Sequence, residues 1–271
     1  MKLGAATYSY LWQCDVKEAI KKIAERGVKY IELMPTPPHI WPRDWGKEER
    51  MALTKLAEDL GVNVFSLNPT YLDINLISTN PAFREESLRQ IEEQIELAKD
   101  LGAKILILIP GRLHALIPMP REIAWRVAKE SVSRCLESAV KNDIILGIEN
   151  VPFGLLRTAE DLKNFVTEFE TEHVRIVYDV ANANMVEIPG EGIKTISNWL
   201  ELVHLADNDG KRWAHLPVGE GSIDFTSVLA TLKAVGYEGI YMTELIKPED
   251  PDHDLAVCIE RISTWETSLL L

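Results

Sequence analysis

The stretch Asp100-Leu101-Gly102-Ala103-Lys104-Ile105-Leu106-Ile107-Leu108-Ile109 reads as a helix end, a glycine turn and a buried strand. Glu25-Arg26-Gly27-Val28 and Asp59-Leu60-Gly61-Val62 repeat the transition, and Gly236 follows another helix-like segment. A residue just past a helix end often turns left-handed, which glycine does without steric cost. On both sides of these turns, strand-like and helix-like runs alternate. Strands are expected at Leu3–Ser9, Tyr30–Leu33, Val62–Leu67, Ile105–Ile109, Ile144–Glu149, Val174–Asp179, Leu200–Leu205 and Gly239–Glu244. Helices are expected at Asp15–Arg26, Glu48–Leu60, Arg84–Leu101, Glu122–Lys141, Ala159–Phe169, Asp224–Val235 and Asp254–Trp265, with Pro189-Gly190-Glu191-Gly192 leaving a short one in the sixth unit. Eight such units predict an α/β fold, a single (β/α)8 barrel forming one domain over residues 1–271. A doubly wound sheet is the rival, but no Gly-x-Gly-x-x-Gly follows the first strand.

Bulk properties narrow the functional classes. Hydrophobic residues form 46% of the chain, enough for a sizeable core, yet every apolar stretch is too short or too interrupted to span a bilayer. The start, Met1-Lys2-Leu3-Gly4-Ala5, runs straight into a strand and lacks a signal peptide's apolar region. Cys14, Cys135 and Cys258 are odd in number and far apart, so they read as reduced thiols of a cytoplasmic protein. A net charge of −13 without a Lys/Arg cluster disfavours nucleic acid as a partner.

Glu149, Asp179, His204 and Glu244 close or nearly close four of the late strands. In a barrel of this kind the C-terminal strand ends form the active-site mouth. One such residue alone reads as a helix cap, a surface charge or a hydrogen-bonded core histidine. Four together are harder to dismiss, because burying several like charges without a cation is very costly. Two Glu, one Asp and one His suit one divalent metal ion, Mn²⁺, Mg²⁺, Co²⁺ or Zn²⁺.

Ile148-Glu149-Asn150, Tyr178-Asp179-Val180-Ala181-Asn182, Val203-His204-Leu205-Ala206-Asp207 and Thr243-Glu244 resemble the xylose isomerase-like barrels. Tyr71–Ile77 followed by Arg84-Glu85-Glu86-Ser87, Leu101–Gly111 and His215–Asp224 share the likeness, so it runs through most of the chain. That superfamily includes sugar and sugar phosphate isomerases and epimerases, inosose dehydratases and endonuclease IV. The trinuclear zinc site of the last is not implied here. Asn68, Ile109, Asn182 and Trp213 stand where its additional ligands would be, and only His215 survives.

The resemblance implies a mononuclear, metal-dependent isomerase or epimerase acting on a ketose or its phosphate. Glu149 and Glu244 would be the catalytic pair, moving a proton through a metal-stabilised enediolate, with all four residues as metal ligands. His204 would need an acceptor for its free ring nitrogen, and Asp207 is a candidate. No Lys closes a strand, which disfavours a hydride-shift isomerase. His215, Arg212, Asn182, Tyr8 and Asn68 are candidates to contact substrate, each with an equally plain structural reading, as have Trp12 and Glu32. Gly219-Glu220-Gly221 offers backbone N–H groups to an anion, although Glu220 weakens that reading. Two loops, Pro35–Gly46 and Gly111–Pro120, are rich in proline and apolar residues; each reads as a lid or as an oligomer contact, and the second reading implies a homodimer or homotetramer. A keto-polyol or inosose dehydratase uses the same proton abstraction and is the alternative enzyme. A non-catalytic sugar- or metal-binding barrel is the alternative outside catalysis, against which the paired glutamates speak.

Overall fold

In the computed structural model, which describes residues 1–69, 71 and 73–268, every expected strand core forms. They are β1 (Lys2–Ala6), β2 (Tyr30–Leu33), β3 (Asn63–Leu67), β4 (Ile105–Leu108), β5 (Ile145–Glu149), β6 (Val174–Asp179), β7 (Leu200–Leu205) and β8 (Ile240–Thr243). Each pairs in parallel with the next, and β8 pairs with β1, closing a (β/α)8 barrel that leaves no open sheet edge.

The helices are α1 (Val16–Glu25), α2 (Lys47–Asp59), α3 (Pro81–Asp100), α4 (Arg121–Asn142), α5 (Ala159–Val166), α6 (Val180–Asn184), α7 (Pro189–Ile196), α8 (Phe225–Ala234) and α9 (Pro251–Ser268). Capping side chains set several starts: Asp15 accepts the Glu18 N–H at 2.9 Å and Asp224 the Ser227 N–H at 3.0 Å. Three expectations shift. The first strand stops at Ala6 and Tyr8–Tyr10 forms a 3-10 turn. The third helix begins at Pro81 rather than Arg84, because Asn80 caps it and proline suits the first turn. The sixth unit divides into α6 and α7, each short. Of the expected Tyr71–Ile77 segment, Leu72 lies outside the described residues, as do residues 70 and 269–271 of the expected single domain. No helix among the described residues is long and apolar enough to cross a membrane.

Strand alternation divides the core in two. Ile105, Ile107, Val177, Leu202, Ile240 and Met242 pack together inside the barrel, while a larger cluster fills the space between strands and helices. Gly4 makes room in the interior: a Cβ there would lie 2.7 Å from the Met242 sulfur. The interior layer positions the site. Gly147, Val177, Leu202 and Met242 each precede Glu149, Asp179, His204 and Glu244 by one full pleat, so those four side chains also point inward, one layer nearer the mouth.

Candidate metal centre

Each of Glu149, Asp179, His204 and Glu244 offers one ligand atom, and these atoms lie within 4.8 Å of one another. All four side chains are buried. The His204 Nδ1 is 2.9 Å from Glu149 Oε1, 3.3 Å from Glu244 Oε2 and 4.0 Å from Asp179 Oδ2. Asp179 splits its carboxylate between two tasks. Its Oδ1 caps α6 by accepting the Asn182 N–H, while its buried Oδ2 accepts no hydrogen bond. A fully buried carboxylate oxygen that accepts no hydrogen bond from the described residues, has the His215 imidazole only in ion-pair range at 3.4 Å, and faces two further carboxylates and the His204 nitrogen is what a divalent cation would satisfy. The residues therefore fit such an ion.

The electrostatics agree. Burial first, with Glu244 and Asp179 adding to it against the pull of His204, pushes the Glu149 carboxyl up to about 8. Burial likewise raises Glu244 above the usual carboxylate range, although His204 opposes it. Burial disfavours the His204 imidazolium, but Glu32, Glu244 and Glu149 outweigh it and hold the ring charged well above its ordinary range. His215 follows the same balance: burial lowers it, Asp179 more than compensates, and it reaches about 9. Asp179 ends below its usual range, since His215 and His204 overcome the burial that would raise it. In the protein alone, protons on buried groups supply the positive charge that a metal ion would otherwise bring.

The acceptor for the outer nitrogen of His204 is Glu32, with Nε2 3.2 Å from Glu32 Oε2. Glu32 is fully buried and also accepts from Ser66 Oγ at 2.6 Å and Asn68 Nδ2 at 3.0 Å. Burial would raise its carboxyl, but His204, Ser66 and Asn68 keep it below the usual range. Asp207, the candidate acceptor from the sequence, is committed elsewhere. Its carboxylate accepts the N–H groups of Asn208, Gly219, Gly221 and Ile223 at 2.8, 2.9, 2.8 and 3.2 Å. The Gly219-Glu220-Gly221 turn thus already has its anion, and that anion is Asp207. Gly221 is required there, because a Cβ would lie 2.3 Å from the Asn208 carbonyl oxygen.

A cavity of about 270 Å³ opens above the cluster. Glu149 and Glu244 line it, whereas Asp179 and His204 sit behind them. Tyr8, Asn68, Asn182 and His215 also line this cavity. Asn68 uses its amide hydrogens on Glu32 and, at 2.7 Å, on Glu244 Oε1. Asn182 is held at both ends, donating to the Asn150 carbonyl at 3.0 Å and accepting from Trp213 Nε1 at 2.6 Å. His215 Nε2 lies 3.4 Å from Asp179 Oδ2 and 3.5 Å from Glu244 Oε2. Burial and the three nearby glutamates push the Tyr8 phenol well above its ordinary range, so it is a donor.

Arg212 is not brought to the cavity: its side chain is 87% exposed and turns to Asp209. Arg112, Phe153 and Trp213 are among the wall residues that the sequence reading does not assign to the cavity. Phe153 and Trp213 meet edge to face at 4.4 Å, and only their joint position over the mouth reveals a role. The Pro35–Gly46 loop is no free flap. Ile40 and His39 are buried, His39 Nε2 lies 3.1 Å from the Cys14 carbonyl oxygen, Arg50 donates to the Trp45 and Pro42 carbonyls, and no residue of the loop lines the cavity. In the Gly111–Pro120 loop, by contrast, Leu116 and Ile117 are 87% and 76% exposed.

Residues 20–262 match the family model described as the xylose isomerase-like TIM barrel. An uncharacterised protein of Methanocaldococcus jannaschii is 27% identical, covering 90% of this chain and 83% of its own. The L-ribulose-5-phosphate 3-epimerase of Escherichia coli is 24% identical over 85% of this chain and 82% of its own. The crystal structure of a D-tagatose 3-epimerase-like protein superposes with a TM-score of 0.86 at 24% identity, covering 99% of this chain and 100% of the other.

Proposed function

The chain belongs to the xylose isomerase-like TIM-barrel family, and on that premise we propose that it is a divalent-metal-dependent sugar isomerase or epimerase. One observation carries the reading: of the four clustered side chains, only Glu149 and Glu244 also line the cavity. A binding protein needs no such pair, whereas moving a proton off and onto carbon needs a base and an acid that both reach the substrate. The epimerase named among the relatives points the same way.

Glu149, Asp179, His204 and Glu244 would hold the ion. When bound, it supplies Lewis-acid polarisation of adjacent sugar oxygens. Glu149 and Glu244 do the proton work: one carboxylate removes the carbon-bound proton and the other returns one. Asn68 fixes the Glu244 carboxylate through its 2.7 Å hydrogen bond, which limits how far that group swings while it exchanges a proton. Phe153, Trp213 and Ile246, with Ile74, Ile109 and Val151, give the wall its apolar part, which limits the water competing for the proton.

The test is carbon-bound deuterium. The metal-loaded protein is incubated in D₂O with a panel of ketoses, ketose phosphates and inososes, and products are read by mass spectrometry. Deuterium in a recovered isomer supports the reading. A dicarbonyl product would replace it with a dehydratase, and no exchange with any substrate, metal being bound, would defeat it.

A further inference from the structure

A second cavity, also about 270 Å³, lies beside the catalytic one between the loops that follow β3 and β4, and Arg112 lines both. Its polar wall is Asn75, Ser78, Thr79, Arg112 and His114, and among the described residues no carboxylate lines it. In a chain of net charge −13 that is an unusual composition for a surface hollow. The acidic residues early in the adjoining α3 are engaged elsewhere, Glu85 with Arg134 and Glu86 with Arg43 and Arg89. Arg84 adds positive charge nearby, its guanidinium donating to the Ser78 carbonyl at 2.7 Å.

Arg112 is held at this border by built contacts. Asn75 grips its backbone from both sides, Oδ1 accepting the Arg112 N–H at 3.3 Å and Nδ2 donating to its carbonyl at 3.2 Å. On the opposite side the Arg112 backbone bridges to Gly154 in the loop after β5. Gly111 allows this closeness, since a Cβ there would lie 2.4 Å from Asn75 Oδ1. His114 contributes an oriented donor. Its Nδ1 accepts the N–H groups of Leu116 and Ile117, each at 3.1 Å, so its hydrogen sits on Nε2. Among the described residues lining the catalytic cavity, Arg112 is the one Lys or Arg.

We infer that the second cavity is an anion subsite in which Arg112, with His114, Ser78 and Thr79, takes the terminal phosphate of a phosphorylated keto sugar. The sugar's reacting carbons then face Glu149 and Glu244 while its charged end lies past Arg112. A guanidinium matches phosphate oxygens in geometry and charge, and hydroxyls and an imidazole N–H complete the oxygen contacts. This inference rests on the isomerase reading for the identity of the sugar, and on the second cavity for the phosphate.

Two measurements on the full chain test it. The first compares kcat/KM for a ketose and its terminally phosphorylated form with metal bound. The phosphorylated form should be preferred at least about 10-fold, and Arg112→Met should cut that preference by roughly 10- to 100-fold, with Arg112→Lys restoring part of it. The second titrates inorganic phosphate by calorimetry with metal chelated, so that binding cannot report on the ion. Arg112→Met and His114→Ala should each weaken it, with circular dichroism confirming the fold. Equal use of both sugars with a ratio that Arg112→Met leaves unmoved overturns the inference, as does phosphate binding indifferent to Arg112. Arg112-dependent phosphate binding without turnover of either sugar supports the anion subsite and defeats the isomerase reading instead.

Discussion

His204 Nε2 meets Glu32 Oε2 at 3.2 Å, on the side of the ring opposite Glu149, whose Oε1 is 2.9 Å from Nδ1. The imidazole is therefore fixed between a carboxylate that faces the cavity and one that does not. Glu32 orients the ring and favours the tautomer with hydrogen on Nε2, leaving Nδ1 for a cation. Glu32→Gln keeps the shape but removes the charge, and metal affinity should fall by about 10- to 100-fold. Competition titration against a chelating dye measures it; an affinity equal to wild type would mean that His204 needs no such partner.

Glu149→Gln and Glu244→Gln should each reduce turnover by at least about 100-fold at saturating metal, because each removes a proton-transfer group. Far-UV circular dichroism should stay unchanged, since both side chains stand on a complete barrel floor. Near-full activity in either variant would refute the paired-glutamate mechanism. His204→Ala should lower metal content by elemental analysis, and unaltered content would remove His204 from the ligand set.

Legibility in the sequence followed the range of the interactions. Strand cores and the four clustered residues were readable because a period of two and a run of apolar residues are local signals. Helix ends were readable where glycine marks them: Gly27, Gly61, Gly102 and Gly236 have φ of 79, 66, 73 and 74°. After α4 the same left-handed position is held by Asp143 at φ 57°, and the signal is lost. The partners of Glu32 lie 34, 36 and 172 residues away, two at the end of β3 and one in β7, so nothing near Glu32 announces its role. Asp207 misled for a related reason. It stands three residues after His204, yet its carboxylate serves a loop that returns 12 to 16 residues later. Arg112 is placed by Asn75 and Gly154, which only the closed barrel brings to it.

Metal and pH should act on stability in opposite directions. Glu149 is raised from 4.5 to about 8 and His215 from 6.5 to about 9, so between those values the folded, metal-free protein holds more protons than the unfolded chain. Stability then falls as pH rises, through Glu149 up to about 8 and through His215 up to about 9. A bound cation takes over the role of those protons, and its affinity should rise over the same range as they leave. Melting temperatures from pH 6 to 9 with chelator, and again with Mn²⁺, give the comparison. The chelated protein should lose stability with pH while the increment from metal grows; a chelated Tm that climbs across this window would contradict the charge balance of the cluster.

The return loop after β7 should depend on Asp207 for stability rather than for anion binding. Four backbone N–H groups converge on its carboxylate, and two of them, from Gly219 and Gly221, share Oδ2 at 2.9 and 2.8 Å. In Asp207→Asn the amide occupies one oxygen position, and wherever its NH₂ turns it confronts two N–H donors. Each donor left unpaired costs roughly 1–3 kcal/mol, so with two of them the variant should lose about 2–6 kcal/mol. Gly221→Ala should destabilise in the same direction, because its Cβ would sit 2.3 Å from both the Asn208 carbonyl oxygen and Asp207 Oδ1. Urea unfolding with an unchanged m-value separates this loss from a change in the unfolded state. If Asp207→Asn unfolds within about 0.5 kcal/mol of wild type, a shift ordinary for a bland surface change, the four convergent N–H groups do not hold the loop.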